Sequence, residues 1–453
     1  MKKKFTIIIL LTLFTMISSC DKYLEEKSDK RLATPTTIAD LKALLFHNNM
    51  FLSFSSAAQL SSDDLVISDK DFNGLSYDSD KRLYSWKPDY VSKAVGSVGN
   101  NWQKCYAPIF VCNSVLQSLS ENKLSGIEAD EVKGQALVLR SARFLDGAQV
   151  WAPIFNVLTA NEDLGMVLRL DPDMNLKSIR ASVQQTYDQI INDLSDAVPL
   201  LPANSTFPGI PTKGSAYGLL ARTYLIIGNY ELARENAENA LQQKNKLIDF
   251  NLLKSTDAFP VAGTQIYKPD EILFFSTMTI NDIDINSAIK VNPELYDLYK
   301  DGDLRKVMYY KQGNGGFVFK GSQSRAGLFN GPTTAEMLLI ISECYARDNK
   351  VLEAKQALDQ LRIKRWKSEK YKVSNFVIKE EAMKAIFEER RRELAFRSIR
   401  WSDLKRLNRD GANILLSRIN NGETITLSPN DKRYAIALPE DVISIAQIPQ
   451  NPR

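Results

Sequence analysis

The residues best suited to bind a ligand are aromatic side chains in residues 53–99, a segment that we call the N-terminal segment and that lacks a long helical period. Long irregular segments of compact domains often carry function. An aromatic ring can stack on the apolar C–H face of a sugar, while nearby carboxylates and amides bond to its hydroxyl groups. We therefore predict a site for a sugar or another polar ligand, with these binding residues: Tyr77, Tyr84, Trp86 and Tyr90. The alternative is that each ring only packs against the helices and fixes the loop.

Few side chains could support catalysis. Asp63 and Asp64 are paired carboxylates, but glycoside hydrolysis needs two carboxyl groups set apart across a cleft, which adjacent residues do not show. We expect them to shape a loop or to bond to a ligand. The single histidine, His47, excludes histidine-rich metal sites and is the one residue on which a Ser-His-Asp triad would depend. No nucleophile motif is present, so we predict a protein that is not an enzyme and that uses no cofactor or metal.

Two further patterns resemble ligand-binding motifs but lack the required residues. Residues 171–175, with the pattern Asp-x-Asp-x-Asn, resemble the start of a calcium loop. Leu176 and Ser182 stand where that motif needs Gly and Glu. A glycine cluster at residues 313–316 lacks the Lys-Ser/Thr ending of a phosphate loop. The cluster instead predicts the turn of a β-hairpin over residues 307–319.

The scaffold that must position these residues is helical. Residues 217–241 predict two short helices joined by a turn at Gly228-Asn229. Their order of aromatic, leucine, small residue and tyrosine fits a tetratricopeptide-type repeat. Small residues at the expected helix contacts are Ala221, Ala233, Ala237 and Ala240.

A second helix pair repeats this pattern. Residues 338–358 fall on the same positions with the same spacing, and the turn is Asp348-Asn349. One such pair cannot bury its apolar face alone, so we expect more helices around it. The two pairs are far apart in the chain and do not form one tandem array. The alternative is two ordinary antiparallel helix pairs.

Other segments complete a mainly α fold. Helical periodicity occurs at residues 35–46, 101–119, 127–155 and 183–198. Thr34 or Thr36 is the expected N-cap of the first of these helices. Residues 271–276 alternate with the period of a strand. The fold predicted is a tetratricopeptide-like scaffold of helix pairs with loop-rich and small β insertions.

Cysteine spacing predicts buried thiols. Cys105 and Cys112 lie seven residues apart in a helical pattern, so their Cα atoms are about 10 Å apart, beyond the reach of a disulfide. We expect both, and Cys344, to be buried apolar residues.

The N-terminus predicts export and lipidation. Three lysines at residues 2–4 precede an apolar core at residues 5–17, which is too short for a membrane-spanning helix of about 20 residues. The core ends in Ile-Ser-Ser-Cys, which resembles a bacterial lipobox and predicts lipidation of Cys20. The alternative is a signal peptide whose cysteine is incidental. Loss of the three lysines lowers the formal charge from +4 to +1, which gives no electrostatic basis for binding nucleic acid.

Residues 388–406 carry a dense run of mixed charges. Such a run is typical of a solvated helix face, and its spacings suit ion pairs between residues three and four apart. Interleaved apolar residues are expected to be buried on the opposite side: Leu394, Phe396, Trp401 and Leu404.

This run resembles the SusD/RagB family of outer-membrane nutrient-binding lipoproteins of Bacteroidetes. The family carries E-R-x-x-E-L-x-x-E-G-x-R-W-x-D-L-x-R, and residues 389–406 match it in register except for Arg397-Ser398 in place of Glu-Gly. That departure affects a local ion pair and a turn. Other landmarks match in order along the chain: Tyr23-Leu24, Trp102, Tyr106, Ile109, Asn113, Gly134, Arg140, Phe144, Tyr187, Ile190, Asp193, Ala233, Ala354, Leu361-Arg362 and residues 437–452.

The resemblance implies a division of the chain. The expected parts are a lipoprotein signal peptide at 1–20, a lipid-proximal linker at 21–34, and a single SusD-like domain at 35–453, with a helical scaffold at about 100–243 and 333–409 and loop-rich insertions at about 53–99 and 244–332. We call residues 244–332 the central segment.

The resemblance also implies a function. The protein would be a non-catalytic cell-surface lipoprotein that binds a nutrient glycan and delivers it to a SusC-type TonB-dependent transporter of the outer membrane. Its partners would be the glycan, the transporter and the outer membrane, which it would reach through the lipid on Cys20. Alternatives are a lipoprotein that binds peptides or another non-glycan nutrient, a surface hydrolase, or a structural adaptor.

Overall fold

A computed structural model describes residues 35–89, 100–264, 270–278 and 288–453. Within these ranges the fold is mainly α, as predicted. In chain order the α-helices are α1 Ile38–Leu45, α2 Ala57–Ser61, α3 Asp69–Asn73, α4 Asp78–Tyr84, α5 Asn101–Glu121, α6 Ile127–Trp151, α7 Val183–Ala197, α8 Lys213–Ile227, α9 Tyr230–Gln243, α10 Pro293–Asp297, α11 Arg305–Met308, α12 Thr334–Arg347, α13 Val351–Arg362, α14 Lys379–Glu393, α15 Ile399–Arg409 and α16 Glu440–Ala446. No helix in the described ranges is both long enough and apolar enough to cross a bilayer.

The strands are short and form two-stranded antiparallel pairs. They are β1 Leu65–Ile67, β2 Leu164–Val167, β3 Arg180–Ser182, β4 Ile289–Val291, β5 Tyr310–Gly313, β6 Gly316–Phe319, β7 Leu416–Asn420 and β8 Glu423–Leu427. The pairs are β1 with β4, β2 with β3, β5 with β6, and β7 with β8. The β5–β6 hairpin confirms the turn predicted at the glycine cluster, with Gly313 opposite Gly316. In the β1–β4 pair, Leu65 lies opposite Val291, which joins the N-terminal segment to the central segment.

The first predicted helix pair is α8 and α9. Gly228 ends α8 with a φ of +86°, a left-handed conformation that glycine adopts without steric cost. The backbone N–H of Asn229 donates to the carbonyl of Tyr224 at 3.0 Å. The side chain of Asn229 then accepts a hydrogen bond from the N–H of Leu232 and caps α9. These caps fix the turn that the sequence predicts.

The second predicted pair, α12 and α13, turns in the same way. Asn349 has a φ of +61°, and the N–H of Lys350 donates to the carbonyl of Tyr345 at 2.8 Å. Although the two pairs are far apart in the chain, α9 packs directly on α12. They share one buried cluster: Ala221, Leu225, Ala233, Ala237, Ala240, Leu273, Met337, Ile340, Ile341, Cys344 and Ala357. The predicted alanines therefore lie at the contact between the pairs.

A buried polar cluster joins α5, α6 and α7. The guanidinium of Arg140 on α6 donates two hydrogen bonds to the carboxylate of Asp193 on α7, at 2.8 and 2.7 Å. Its Nη1 donates to Oδ1 of Asn113 on α5 at 2.9 Å. Bidentate pairs of this kind fix orientation as well as distance. Cys105 and Cys112 on α5 are free and buried, as predicted.

The N-cap of the first helix differs from the prediction. The helix begins at Ile38, and Thr37 is its cap rather than Thr34 or Thr36. The backbone N–H of Asp40 donates to the Thr37 hydroxyl, and the Asp40 carboxylate accepts from the N–H of Thr37, each at 3.2 Å. This reciprocal capping box needs a side-chain acceptor three positions after the cap, and Asp40 stands three positions after Thr37.

Residues 271–276 do not form a strand in a sheet, although their side chains alternate. The N–H of Leu273 donates to the carbonyl of Pro332, and that of Phe275 donates to the carbonyl of Pro208. All residues from 271 to 278 are buried. The extended chain therefore bonds to two different loops and is buried on both sides, so the alternation in its sequence does not mark a sheet strand with one exposed face.

The N-terminal segment is more regular than its sequence suggests. It contains the short elements α2, β1, α3 and α4, each of seven residues or fewer. Ser68 caps α3 by accepting a hydrogen bond from the N–H of Asp71. Helices this short do not produce a sustained hydrophobic period in the sequence. The sequence therefore predicts a loop, whereas the structure has several short helices in succession.

The charged run at residues 388–406 is not a solvated helix face. Two of the expected intrahelical ion pairs do form: Arg392 lies 2.5 Å from Glu389, and Arg406 lies 2.8 Å from Asp403. All four side chains are nevertheless buried, because α14 packs against α12 and α13, and α15 packs against α2 and α8. Buried charges need partners on neighbouring elements, which a pattern confined to one helix does not show.

Glu393, at the end of α14, joins distant parts of the chain. Its carboxylate lies 2.8 Å from Arg305 of the central segment and 2.9 Å from Arg365, which follows α13. Arg365 in turn lies 2.7 Å from Glu271. Burial alone would raise the pKa of Glu393, but Arg365 and Arg305 hold it below its usual range. This ion-pair network fixes the central segment against the helical scaffold.

We predict that Glu393→Gln lowers the free energy of unfolding by about 3–5 kcal/mol, because it leaves two buried guanidinium groups without their shared carboxylate. Denaturant unfolding of the chain from residue 21 measures the change. The control is Glu388→Gln on the same helix, where a partly exposed side chain should cost less than about 0.5 kcal/mol. Equal stability of the two variants would show that Glu393 does not hold the central segment.

Candidate ligand-binding site

The structure places two of the four predicted binding residues in the core. Tyr84 is 1% exposed and Trp86 is 4% exposed. The Tyr84 hydroxyl accepts a hydrogen bond from the N–H of Ile67 at 3.0 Å, and the indole N–H of Trp86 donates to the carbonyl of Ser61 at 2.8 Å. The guanidinium carbon of Arg418 lies 4.0 and 4.4 Å from the two ring centroids. These rings fix the segment and present no face to a ligand, which corrects the prediction for both.

The other predicted positions have different outcomes. Tyr77 is 44% exposed at the start of α4 and stays a predicted binding residue. Tyr90 lies outside the described residues, as does the predicted lipidation site, Cys20.

Asp63 and Asp64 are structural residues. The carboxylate of Asp63 lies 2.7 Å from Arg400 and 3.0 Å from Arg391. Asp64 is 1% exposed and accepts a hydrogen bond from the N–H of Phe396 at 3.3 Å. Burial, with the neighbouring Asp63, raises the pKa of Asp64 to about 6. Two carboxyl groups held this way do not face a cleft, as the paired acids of a glycosidase must.

An open groove of about 660 Å³ runs along α5 in the described part of the chain. Trp102, Tyr106 and Phe110 follow one another at intervals of four residues, so they lie on one face of the helix. The ring centroids of Trp102 and Tyr106 are 4.6 Å apart, and Phe110 is 46% exposed. We call these three side chains the ring ladder.

Buried neighbours hold the ladder in place. The Trp102 ring packs edge-on against Trp151 at the end of α6, with centroids 4.9 Å apart. The Tyr106 hydroxyl donates to the carbonyl of Val167 at 3.0 Å and accepts from its N–H at 3.1 Å. Burial raises the pKa of Tyr106, so the hydroxyl keeps its proton. Two of the three rings are therefore fixed before a ligand arrives.

The second wall of the groove is the connection between β2 and β3. Arg169 shapes it by donating to the carbonyls of Leu176 and Asp173. The carbonyl of Arg169 accepts a hydrogen bond from the Asn113 side chain at 2.8 Å, which ties this wall to α5. The Asp-x-Asp-x-Asn pattern lies here, and the carboxylate of Asp171 accepts from the N–H of Asp173. Among the described residues, no three or more His, Cys, Asp or Glu side chains come together in a way that could hold a metal ion.

The third wall is α16, near the C-terminus. The side chain of Asn451 donates to the carbonyl of Trp151 at 2.8 Å and to that of Ile436 at 2.9 Å. The side chain of Gln450 bonds to both the N–H and the carbonyl of Leu438. These bonds hold the chain on both sides of α16 against α6.

The predicted binding residues do not include the ring ladder. The sequence predicts a helix at Trp102, Tyr106 and Phe110, and the first two are landmarks of the family resemblance. Their spacing of four residues does predict a shared helix face. The sequence alone does not show that this face stays partly open.

A smaller cavity of about 50 Å³ lies among α6, α8 and α15. A water molecule takes up about 30 Å³ in the liquid, so the cavity is too small for a sugar. Asp146 lines it and accepts a hydrogen bond from the N–H of Ser55 at 2.9 Å. Burial raises the pKa of Asp146 to about 6. The cavity has the size and polarity of an internal hydration site.

The fold and the groove together define a class of protein: a helical-repeat scaffold that presents an aromatic-lined groove. Residues 22–225 match a family model described as "Starch-binding associating with outer membrane", and residues 333–451 match the SusD family model. The chain belongs to the SusD/RagB family. No curated protein matches the chain.

Solved structures support the same fold. A SusD superfamily protein from Bacteroides thetaiotaomicron is 17% identical, with 92% of this chain and 100% of that chain covered and a TM-score of 0.72. A SusD superfamily protein from Bacteroides fragilis is also 17% identical, with 91% and 99% covered and a TM-score of 0.73. A SusD-like carbohydrate binding protein from Bacteroides vulgatus is 19% identical, with 91% and 97% covered and a TM-score of 0.66. At these identities the likeness establishes the fold alone.

We predict that Trp86→Ala lowers the free energy of unfolding by about 3–5 kcal/mol, because it removes a fully packed ring. Tyr77→Ala, at an exposed ring, should lower it by less than about 1 kcal/mol. Denaturant unfolding of both variants provides the test. A Trp86→Ala variant as stable as Tyr77→Ala would contradict the structural role of Trp86.

We predict that Asp146→Asn stabilises the protein by about 1–3 kcal/mol above pH 6, and by progressively less as the pH falls from 6 towards 4. The folded pKa of about 6 lies above the ordinary value of 3.8, so protonation of Asp146 favours the folded state. That contribution is complete below the unfolded pKa of 3.8 and is lost as the pH rises from there to about 6, whereas asparagine stays neutral throughout.

Thermal unfolding of wild type and variant from pH 4 to pH 7.5 measures this difference. Asp130→Asn on the same helix is the control, because its exposed carboxyl group should give an offset that does not change over this range. A constant offset for Asp146→Asn as well would contradict the raised pKa.

Proposed function

We propose that the protein is a surface lipoprotein that binds a nutrient glycan in the α5 groove and passes it to a TonB-dependent transporter of the outer membrane. The observation that carries the proposal is the ring ladder of Trp102, Tyr106 and Phe110 in an open groove. Membership of a family whose model is described as starch-binding and associated with the outer membrane supports it. Lipidation at Cys20 would supply the anchor, and no step of this role requires catalysis.

The shape of the ring ladder favours an extended saccharide. The Trp102 and Tyr106 rings lean toward each other, with centroids 4.6 Å apart, and Phe110 follows one turn further along α5. The three rings form an apolar strip on one side of the helix, so a sugar chain that lies along α5 can place its apolar faces against the strip while its hydroxyl groups stay in water or contact the polar rim. The Tyr77 ring is a separate exposed candidate for contact with the same ligand.

The hydrolase alternative finds no support at the residues on which it depended. Asp63 forms ion pairs with Arg391 and Arg400, and Asp64 is buried against the backbone of Phe396. Neither residue lines the groove. Substitution of Asp63 would therefore test folding rather than turnover.

We predict that Phe110→Ala weakens glycan binding about tenfold. Loss of roughly 50–60 Å² of apolar contact corresponds to about 1.4 kcal/mol, which is one order of magnitude in affinity. Calorimetry of the chain from residue 21 against a panel of host and plant polysaccharides measures the effect on whichever glycan binds.

The matched control is Phe46→Ala. Phe46 is 40% exposed, which is similar to Phe110, but it does not line the groove. Its substitution should leave affinity unchanged. Equal affinities of Phe110→Ala and wild type would remove the ladder from the binding site, and product release by the wild type would contradict a non-catalytic role.

A further inference from the structure

The two walls that face the ring ladder, the β2–β3 connection and α16, carry several aliphatic side chains, which we call together the aliphatic wall. Met174 on the β2–β3 connection is 80% exposed, and Ile445 on α16 is 81% exposed. Other aliphatic side chains of the lining are Val111, Val167, Val442, Ala446 and Ile448. A sugar stacked on the ladder would bring its opposite edge against methyl and methylene groups. An unsubstituted polyol gains little from such a wall, because its hydroxyl groups would lose water without gaining partners.

The charged side chains of the groove do not favour an anionic ligand. Arg169 is the cation of the lining, and its guanidinium donates to the carbonyls of Leu176 and Asp173. The remaining charged side chains of the lining are the carboxylates of Asp171 and Asp441. A uronate or sulfate group would therefore meet two like charges and one cation that already donates to two backbone carbonyls. This arrangement disfavours anionic sugars.

We propose that the groove selects a neutral glycan that carries acyl groups, such as O-acetyl or N-acetyl substituents; this inference rests on the proposed function. The methyl group of the acyl substituent would pack against Met174 and Ile445, while the sugar ring lies on the ladder. The acyl carbonyl is an acceptor that needs one donor, and the hydroxyl group of Ser178 lies in the same lining. Acylation also removes or replaces hydroxyl groups that the aliphatic wall could not satisfy.

The size of the effect follows from the contact. Each methyl group that becomes fully buried should raise affinity about fourfold. Two acyl groups held at once would give more than tenfold. The preference should depend on the aliphatic wall, whereas binding itself should depend on the ladder.

The test compares pairs of glycans with the same backbone linkage, of which one member carries acyl groups and the other carries hydroxyl groups at those positions. One pair is O-acetylated xylan before and after mild alkaline deacetylation, and the other is chitin oligosaccharides and cellulose oligosaccharides of equal length. Polygalacturonate is the anionic probe. Calorimetry is performed on wild type, Ile445→Ser and Phe110→Ala, and the exposed position of Ile445 means that the serine variant should fold normally.

We expect at least a fourfold preference of the wild type for the acylated member of a pair, loss of that preference in Ile445→Ser, and weaker binding of both members in Phe110→Ala. Equal binding of both members, or tighter binding of polygalacturonate, would overturn the acyl inference. If Phe110→Ala weakened such binding, the proposed function would still stand. No binding to any glycan, or binding that Phe110→Ala leaves unchanged, would overturn both.

Discussion

The structure depends on the requirement that a buried charge must meet an opposite charge. Glu393 is 3% exposed and lies between Arg305 and Arg365, which come from the central segment and from the end of the second helix pair. Removal of one member of a buried ion pair costs several kcal/mol, so the network permits only a narrow range of arrangements. It thereby fixes loop-rich parts of the chain that have little secondary structure of their own.

A second cluster of buried polar side chains fixes the position of a groove wall. Arg140 bridges Asp193 and Asn113, and Asn113 also donates to the carbonyl of Arg169 on the groove wall. The position of the wall relative to the ring ladder is thus set by a side chain on the ladder's own helix. A ligand would enter a groove that is already formed, so that little of its binding energy would be spent on ordering the protein.

The extent of sequence-based prediction follows from how local each feature is. The helix pairs could be predicted because periodicity and the Gly228 and Asn349 turns are properties of adjacent residues. The fate of Tyr84 and Trp86 could not, because the group that covers their rings is Arg418, more than 300 residues away. The prediction of a solvated helix face at residues 388–406 failed for the same reason. The spacing of charges along a helix is the same whether the charged groups face water or ion-pair partners elsewhere in the chain. The Trp102 face was visible as a pattern, but its openness depends on the chain segments that do not cover it.

The scaffold and the groove walls depend on different sets of residues. Solved structures at 17–19% identity share it with TM-scores of 0.66–0.73, so most positions can change while the scaffold persists. Here the scaffold is held by buried ion pairs and helix contacts, whereas Met174 and Ile445 on the groove walls are about four-fifths exposed. Substitution at exposed positions usually costs little stability. The walls can therefore change the chemistry they offer to a sugar without disturbing α5, and the ring ladder can stay in place while specificity is set around it.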